Sequence, residues 1–177
     1  PTAEPYMVWH SSNPNGPFTL IDSVFFPITT YTHTSAGGND IAQYYYLSTE
    51  EGCGVLAGDL NSDTLASIFI NVIPINQGIT ANLNWNAIHD PLLYTSSTDY
   101  ELFLKNPNTI FTNILTTPML NYIHNAEFCD YSPEFYVEID DASGCTSKSN
   151  VGVTNLLDTI TPVTPVITDV SVDVNGK

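Results

Sequence analysis

Basic residues are scarce in this chain of 177 residues, which contains only three Lys and Arg residues in total. Because 19 Asp and Glu residues oppose them, the formal net charge at pH 7 is −16. Proteins that bind nucleic acids neutralise phosphates with Lys and Arg, which this chain cannot supply in number. The same negative charge disfavours docking to anionic lipid. The composition therefore excludes nucleic acid as a partner.

Long apolar runs and catalytic constellations are scarce as well. No run approaches the ~20 apolar residues of a membrane-spanning helix. The histidines do not occur at metal-ligand spacing, and a structural role is predicted for all four, His10, His33, His89 and His124. The acidic pairs Glu50-Glu51 and Asp140-Asp141 are interpreted as solvated turns rather than as the carboxylates of a glycosidase. The sequence thus predicts no enzyme, no catalytic residue and no cofactor-binding residue.

What the chain does contain is a segment that occurs twice. The stretch that begins at Tyr6 returns at Tyr100, and the stretch that ends at Cys53 returns at Cys145. The matching runs are Tyr6-Met7-Val8-Trp9 with Tyr100-Glu101-Leu102-Phe103, Asn13-Pro14-Asn15 with Asn106-Pro107-Asn108, and Tyr31-Thr32-His33 with Tyr122-Ile123-His124. Repeats of single supersecondary units have periods of about 20 to 50 residues, and this period is longer. The repetition predicts whole domains in tandem.

Each copy has the pattern of β structure. Apolar and polar residues alternate in short runs that are rich in aromatic and β-branched residues, and clusters of Gly, Pro, Asn and Asp separate these runs. The predicted strands of the second copy span residues 79–85, 100–104, 109–114, 120–124, 135–139 and 147–153. Residues 63–69 could be misread as a helix but carry no convincing helical period. The fold class predicted is all-β, with tandem antiparallel β-sandwiches.

The order of these strands resembles that of a fibronectin type III-like or Ig-like domain. The resemblance is to the modules of giant surface proteins of Bacteroidota, including gliding-motility adhesins and extracellular hook or filament proteins. The runs that carry it include Leu83-Asn84-Trp85-Asn86, Tyr136-Val137-Glu138 and Gly144-Cys145-Thr146-Ser147. It implies type IX secretion, an extracellular location at the cell surface, and a structural or adhesive role.

Three modules are predicted along the chain. Residues 1–71 form a partial sandwich that lacks its first strands, residues 72–158 form a complete one, and residues 159–177 form a linker and the first strand of another. Proline-rich joints, Val72-Ile73-Pro74 and Thr161-Pro162-Val163-Thr164-Pro165, are expected to stiffen the connections. A sandwich without its first strands exposes apolar core. The chain is therefore expected to be part of a longer polypeptide, and a strand-exchange subunit is the alternative.

The family resemblance also implies a disulfide between Cys129 and Cys145, which flank the predicted strand 135–139. Two buried free thiols are the alternative. Closing a loop of about 16 residues would restrict the unfolded chain by roughly 3 kcal/mol. Cys53 matches Cys145 in the repeat but has no counterpart of Cys129, so its partner lies elsewhere or it is a free thiol.

Alternating oxygen-bearing residues, Asp59, Asn61 and Asp63, form a weak calcium candidate. Thr64 stands where an EF-hand needs glycine, and Ile70 stands where it needs a bidentate glutamate, so the sequence excludes an EF-hand. A looser Ca²⁺ site between modules and an ordinary polar loop both stay open.

A second resemblance concerns glycosylation. Three runs are similar to the O-glycosylation pattern of Bacteroidota proteins, in which Asp precedes Ser or Thr and then a small or apolar residue: Asp22-Ser23-Val24, Asp63-Thr64-Leu65 and Asp158-Thr159-Ile160. The pattern implies glycosylation at Ser23, Thr64 or Thr159. Ordinary loop hydroxyls are the alternative.

The function predicted from these observations is a non-enzymatic structural and adhesive segment of an extracellular filament or adhesin. Its expected partners are neighbouring modules of the same polypeptide, further copies bundled into a filament, and a cell-surface or glycan target. The alternative is an accessory carbohydrate-binding or spacer module of a secreted enzyme. Tyr44-Tyr45-Tyr46 offers aromatic rings for sugar stacking, although core or intermodule packing is the preferred explanation.

Overall fold

The structure of the protein is a computed structural model that describes residues 5–49, 60–126 and 130–157, together with Thr164 and Val166. The strands are β1 (Tyr6–Ser11), β2 (Thr19–Val24), β3 (Tyr44–Thr49), β4 (Leu60–Asn61), β5 (Leu65–Ala66), β6 (Ile70–Ile75), β7 (Thr80–Trp85), β8 (Tyr100–Lys105), β9 (Thr112–Thr117), β10 (Asn121–Asn125), β11 (Glu134–Asp140), β12 (Thr146–Lys148) and β13 (Gly152–Val153). Among the described residues the one helical element is the 3-10 helix Asn76–Gly78. The predicted all-β class is confirmed.

The strands form three antiparallel sheets. The first sheet has the order β2-β1-β3-β4, with β5 also paired to β3. The second sheet has the order β10-β7-β6, and the third has the order β12-β11-β8-β9, with β13 also paired to β11. The second and third sheets pack face to face as a β-sandwich, because their apolar residues share one interior cluster.

Alternation along the strands explains which side chains enter that interior. In β8, Tyr100, Leu102 and Leu104 are buried, whereas their neighbours are half-buried on the outer face. The strands opposite contribute Ile70, Ala81, Leu83 and Trp85, and β11 contributes Phe135, Val137 and Ile139. Burying each large aliphatic or aromatic side chain contributes roughly 1.5 to 3 kcal/mol. This interior is therefore the main source of stability in residues 70–157.

Close backbone approach and side-chain hydrogen bonds complete the sandwich. Gly152 lies so near β6 that an added Cβ atom would stand 2.5 Å from Cγ2 of Val72. Beside it, Asn150 makes two hydrogen bonds with Ile70: the Ile70 N–H donates to Asn150 Oδ1 at 2.8 Å, and Asn150 Nδ2 donates to the Ile70 carbonyl at 3.1 Å. At the other end of the segment, Tyr131 and Leu156 exchange two backbone hydrogen bonds. Residues 70 and 156 are thus both tied into the sandwich.

The first and third sheets repeat one local geometry. Each has a register shift at equivalent positions, between Val8 and Trp9 in β1 and between Leu102 and Phe103 in β8. Each also has a stacked cross-strand ring pair with a third ring at its edge: Trp9 and Tyr46 at 5.7 Å with Phe18 at 5.0 Å, and Phe103 and Tyr136 at 4.6 Å with Phe111 at 4.7 Å. The aligned rings of these two clusters therefore pack in the same way in both sheets.

Two lysines lie on the outer face of the third sheet. Lys105 pairs with Glu134 at 2.7 Å, and the ammonium of Lys148 stands 3.4 Å from the ring centre of Tyr136. Ion pairs this exposed contribute about 0 to 1 kcal/mol. Both cations are thus engaged within the chain itself.

The predicted strands 79–85, 100–104, 120–124 and 135–139 correspond to β7, β8, β10 and β11 within one residue at each end. The prediction of a strand at 109–114 was wrong by three residues, because Asn108 adopts a φ of 64° and the Thr109 N–H donates to Asn106 in a turn. A single strand at 147–153 was also wrong. β12 ends at Lys148 because the Ser149 hydroxyl accepts the hydrogen bond of the Val137 N–H in place of a carbonyl.

The interpretation of Val72-Ile73-Pro74 as a joint between modules was wrong. These residues lie inside β6, which pairs with β7 along its whole length. Pro74 is tolerated there because β6 is an edge strand of the second sheet. The predicted module boundary between residues 71 and 72 falls within this strand, and most of residues 159–177 lie outside the described residues.

Candidate functional site

A hydrogen-bonded junction joins the first sheet to the sandwich. We define the junction as residues 66–70 together with Gln43, Asn86 and Ile88. The Ala66 N–H donates to the Ile88 carbonyl at 2.7 Å, and the Ser67 N–H donates to the Gln43 carbonyl at 2.7 Å. The chain between β5 and β6 is therefore bonded on both sides as it passes from one sheet to the next.

Asn86 is the central side chain of the junction. It directly follows β7, and its Oδ1 accepts a hydrogen bond from the Phe69 N–H at 2.8 Å. Its Nδ2 donates to the Ser67 carbonyl at 3.0 Å and to the Ala87 carbonyl at 2.9 Å. One amide thus satisfies three backbone groups, which would each cost about 1 to 3 kcal/mol if buried without a partner.

Gln43 holds the opposite side of the junction and is 2% exposed. Its Oε1 accepts from His10 Nε2 at 2.7 Å, and its Nε2 donates to the Ile41 carbonyl at 3.1 Å. Its backbone N–H donates to the Ser67 hydroxyl at 2.9 Å. The polar groups of Gln43 therefore link β1, the start of β3 and the junction.

A cleft of about 740 Å³ lies beside the junction. Its lining residues include Pro14, Tyr44, Thr64, Ala66, His89, Asp90, Leu92, Tyr100 and Leu120. Burial raises the pKa of the Tyr100 hydroxyl above its usual value. The His89 ring is held by the Pro91 carbonyl. Tyr100 is therefore uncharged at neutral pH and packs as part of the wall.

The structure does not bring the predicted calcium residues into a cage. Asn61 and Asp63 are exposed, and Asp59 lies outside the described residues. Within residues 5–49, 60–126 and 130–157, no group of three or more His, Cys, Asp or Glu residues could hold a metal ion. The calcium site stays a prediction.

The predicted glycosylation residues have unequal access. Ser23 is exposed on β2, and Thr64 is half-buried at the cleft. Thr159 lies outside the described residues. Of the two acceptors that the structure describes, Ser23 is therefore more accessible than Thr64.

Cys145 is exposed, and it forms no disulfide with another described residue. Cys129 and Cys53 both lie outside the described residues, so the disulfide between Cys129 and Cys145 stays a prediction. Cys145 follows a tight turn in which the Gly144 N–H donates to the Asp141 carbonyl.

Asp141 lies in the same turn as Cys145. Hydrogen bonds from Thr95 and Ser143 hold the pKa of the Asp141 carboxyl below its usual value. The carboxylic acid that protonates the leaving group in a glycosidase needs a pKa raised above its usual value, which is the opposite shift.

The histidines that the repeat aligns occupy similar surroundings. His33 stands edge-on to Tyr45 at 6.0 Å, and His124 stands edge-on to Phe135 at 5.2 Å. His33 is hydrogen-bonded to the Tyr45 hydroxyl at 3.1 Å, and His124 is hydrogen-bonded to the Tyr131 hydroxyl at 2.9 Å. These contacts favour the structural role predicted for both.

No family model matches the chain, and no curated protein is significantly similar to it. In the part of the chain that the structure describes, no helix is long and apolar enough to cross a membrane. Sequence reasoning did not find the bridging roles of Gln43, Asn86 and Asn150. A single amide side chain has the same appearance in a sequence whether it lies in a turn or bridges two sheets.

Proposed function

We propose that this chain is a non-enzymatic structural and adhesive segment of an extracellular surface protein, in which β-sheet units are held in fixed mutual orientation. The observation that supports it most is the hydrogen-bonded junction around Asn86. Flexible linkers have few contacts to the domains they join, and relative domain motion is then the default. Here the connecting residues are bonded on both sides. A stalk or filament needs stiff connections of this kind.

The repeated ring geometry supports the tandem part of the proposal. Trp9 with Tyr46 and Phe103 with Tyr136 stack in the same way at positions that the sequence repeat aligns. Duplicated fibronectin type III-like units would produce this likeness, and arrays of such units work through length and multivalency. We therefore include neighbouring modules and laterally bundled copies among the proposed partners.

The charge is consistent with a role at a cell surface. A formal net charge of −16 repels other acidic chains and maintains solubility. Salt and divalent cations screen this repulsion, so lateral contacts would strengthen as ionic strength rises. Type IX secretion, the disulfide and glycosylation at Ser23, Thr64 or Thr159 belong to the same proposal.

Binding and turnover assays test this function directly. We expect glycan arrays and panels of hydrolase substrates to give blank results with the whole chain. Specific glycan affinity would favour the accessory carbohydrate-binding module instead. Turnover of any substrate would contradict the proposal.

The stiffness of the junction is tested by replacing Asn86 with alanine. The substitution leaves the Phe69 N–H and the Ser67 carbonyl without their partner, at a cost of about 1 to 3 kcal/mol for each group that stays buried. We expect residual dipolar couplings of the wild type to fit one alignment tensor for the first and third sheets, and those of Asn86→Ala to require two.

Asn84→Ala is the matched control, because Asn84 is exposed on the same strand that precedes Asn86. The residual dipolar couplings of Asn84→Ala should fit one alignment tensor, as those of the wild type do. A wild-type chain that already needs two tensors would contradict a stiff junction.

A further inference from the structure

The inner face of the first sheet is partly open to solvent, since Val8 is buried but Tyr6 and Leu47 on the same face are exposed. Val8 and Leu47 pair across β1 and β3 and so lie on one face, which Tyr6 and Tyr45 extend by alternation. Tyr6 is 48% exposed and Leu47 is 43% exposed. Their counterparts in the third sheet, Tyr100 and Val137, are 1% and 0% exposed because the second sheet covers them. Among the described residues, no sheet covers the equivalent inner face of the first sheet in the same way.

This open face is hollow rather than flat. A cavity of about 200 Å³ lies between Tyr6, Val8, Leu47 and residues 28–31. A second cavity of about 340 Å³ lies between Tyr45, Leu47 and Leu65. Leu47 borders both cavities. We call the two together the acceptor groove.

Residues 28–33 border the groove and belong to no strand. The ring of His33 lies against Tyr45 as that of His124 lies against Phe135, which places residues 28–33 where β10 lies in the sandwich. β10 pairs with β7. Among the described residues, by contrast, no strand pairs with residues 28–33, which are almost entirely exposed. The Ile28 N–H already donates to the Phe25 carbonyl, and exposed backbone outside a sheet can pair with an added strand.

The chain itself contains a second copy of the covering pattern. Val72-Ile73-Pro74-Ile75 returns as Val163-Thr164-Pro165-Val166, and Ile79-Thr80-Ala81-Asn82-Leu83-Asn84 returns as Val170-Ser171-Val172-Asp173-Val174-Asn175. The second run matches β7, whose Ala81 and Leu83 are 0% exposed against the third sheet. Of residues 163–175, the structure describes only Thr164 and Val166, and both are exposed. Their sequence supplies alternating apolar residues for a face such as the acceptor groove.

We propose that residues 163–175 of a second copy of this chain bind the acceptor groove. Residues 170–175 would pair with residues 28–33, and Val170, Val172 and Val174 would cover Tyr6, Val8 and Leu47. The donor and the acceptor are different segments of the chain, so the contact is heterologous and adds copies head to tail. The inference builds on the proposed structural role. Its failure would leave that role standing, because glycan and turnover assays test the role independently.

Complementation between two defective variants tests the proposal. Val172→Asp places a charge on the donor, and Leu47→Asp places a charge in the acceptor groove. We expect the mass of the wild type in sedimentation equilibrium to rise with concentration, and each variant alone to stay monomeric. An equimolar mixture of the two should form a heterodimer and grow no further, because it contains one intact donor and one intact groove.

A labelled peptide of residues 163–177 measures the same contact directly. We expect it to bind the full-length Val172→Asp chain in fluorescence anisotropy, and to bind at least about tenfold more weakly when Leu47→Asp is added, since a charge is costly to bury in an apolar groove. Leu20→Asp is the control, because Leu20 is 49% exposed and pairs with Trp9 on the other face. In sedimentation equilibrium, the mass of the Leu20→Asp chain should rise with concentration as that of the wild type does.

Circular dichroism of each variant establishes that it is folded, and Tyr6→Ser provides a second, milder change in the groove. A wild type that stays monomeric and binds no peptide would overturn the proposal. Oligomers that survive both Val172→Asp and Leu47→Asp would overturn it too, since another surface would then be responsible.

Discussion

Replacing Phe135 with alanine is expected to lower the free energy of unfolding of the sandwich by about 3 to 5 kcal/mol. Phe135 is 0% exposed and lies on β11 within the interior cluster. The substitution removes a whole ring from close packing and leaves a cavity. The strands around this cavity are hydrogen-bonded to one another and cannot collapse into it. The ring of His124 would also lose its edge-on contact at 5.2 Å. Urea denaturation followed by tryptophan fluorescence measures the loss.

Phe26→Ala is the matched control for this change, because Phe26 is 71% exposed. It removes the same atoms from a position that already contacts water, so we expect a change within about 0.5 kcal/mol. A loss below 1 kcal/mol for Phe135→Ala would mean that the interior assigned to the second and third sheets is not a packed core.

Replacing Asn150 with alanine is expected to cost about 2 to 4 kcal/mol. The backbone N–H and carbonyl of Ile70 both bond to this side chain, and Ile70 is 1% exposed. Both groups would therefore stay buried without a partner. Hydrogen exchange should locate the effect: in Asn150→Ala, the Ile70 amide should lose more protection than the other amides of β6.

Asn121→Ala provides the comparison, since Asn121 is exposed at the start of β10. Its stability should match that of the wild type. Unchanged protection at the Ile70 amide in Asn150→Ala would contradict the assigned role of Asn150.

The strands that could be predicted from the sequence are those with strict alternation and a buried face. Residues 100–104 show this pattern clearly, and β8 begins where it was expected. β6 was missed because Pro74 was taken as a joint, although an edge strand tolerates proline where no ladder bond is needed. β9 was misplaced because the positive φ of Asn108 is a property of a turn and leaves little trace in hydrophobic pattern.

The hydrogen bonds of the junction and of Asn150 could not be predicted for a different reason. Asn150 bonds to a residue 80 positions away, and Asn86 bonds to residues 17 and 19 positions away. Their roles depend on which strands come together, and no local pattern encodes that. The cysteine pairing, the calcium residues and the glycosylation residues stay predictions, since each rests in part on residues outside those described.

The hydrogen bonds at the two ends of the sandwich bear on how the chain would respond to tension. A pull along the polypeptide enters the sandwich at Ile70 and leaves it at Leu156, where Asn150 and Tyr131 respectively are bonded. Neither end can peel away residue by residue, because the first step at each requires two bonds to break together. Force applied to an array of such units would accordingly load these four bonds together with the junction bonds at residues 66–69 and the β6–β7 ladder that begins at Ile70.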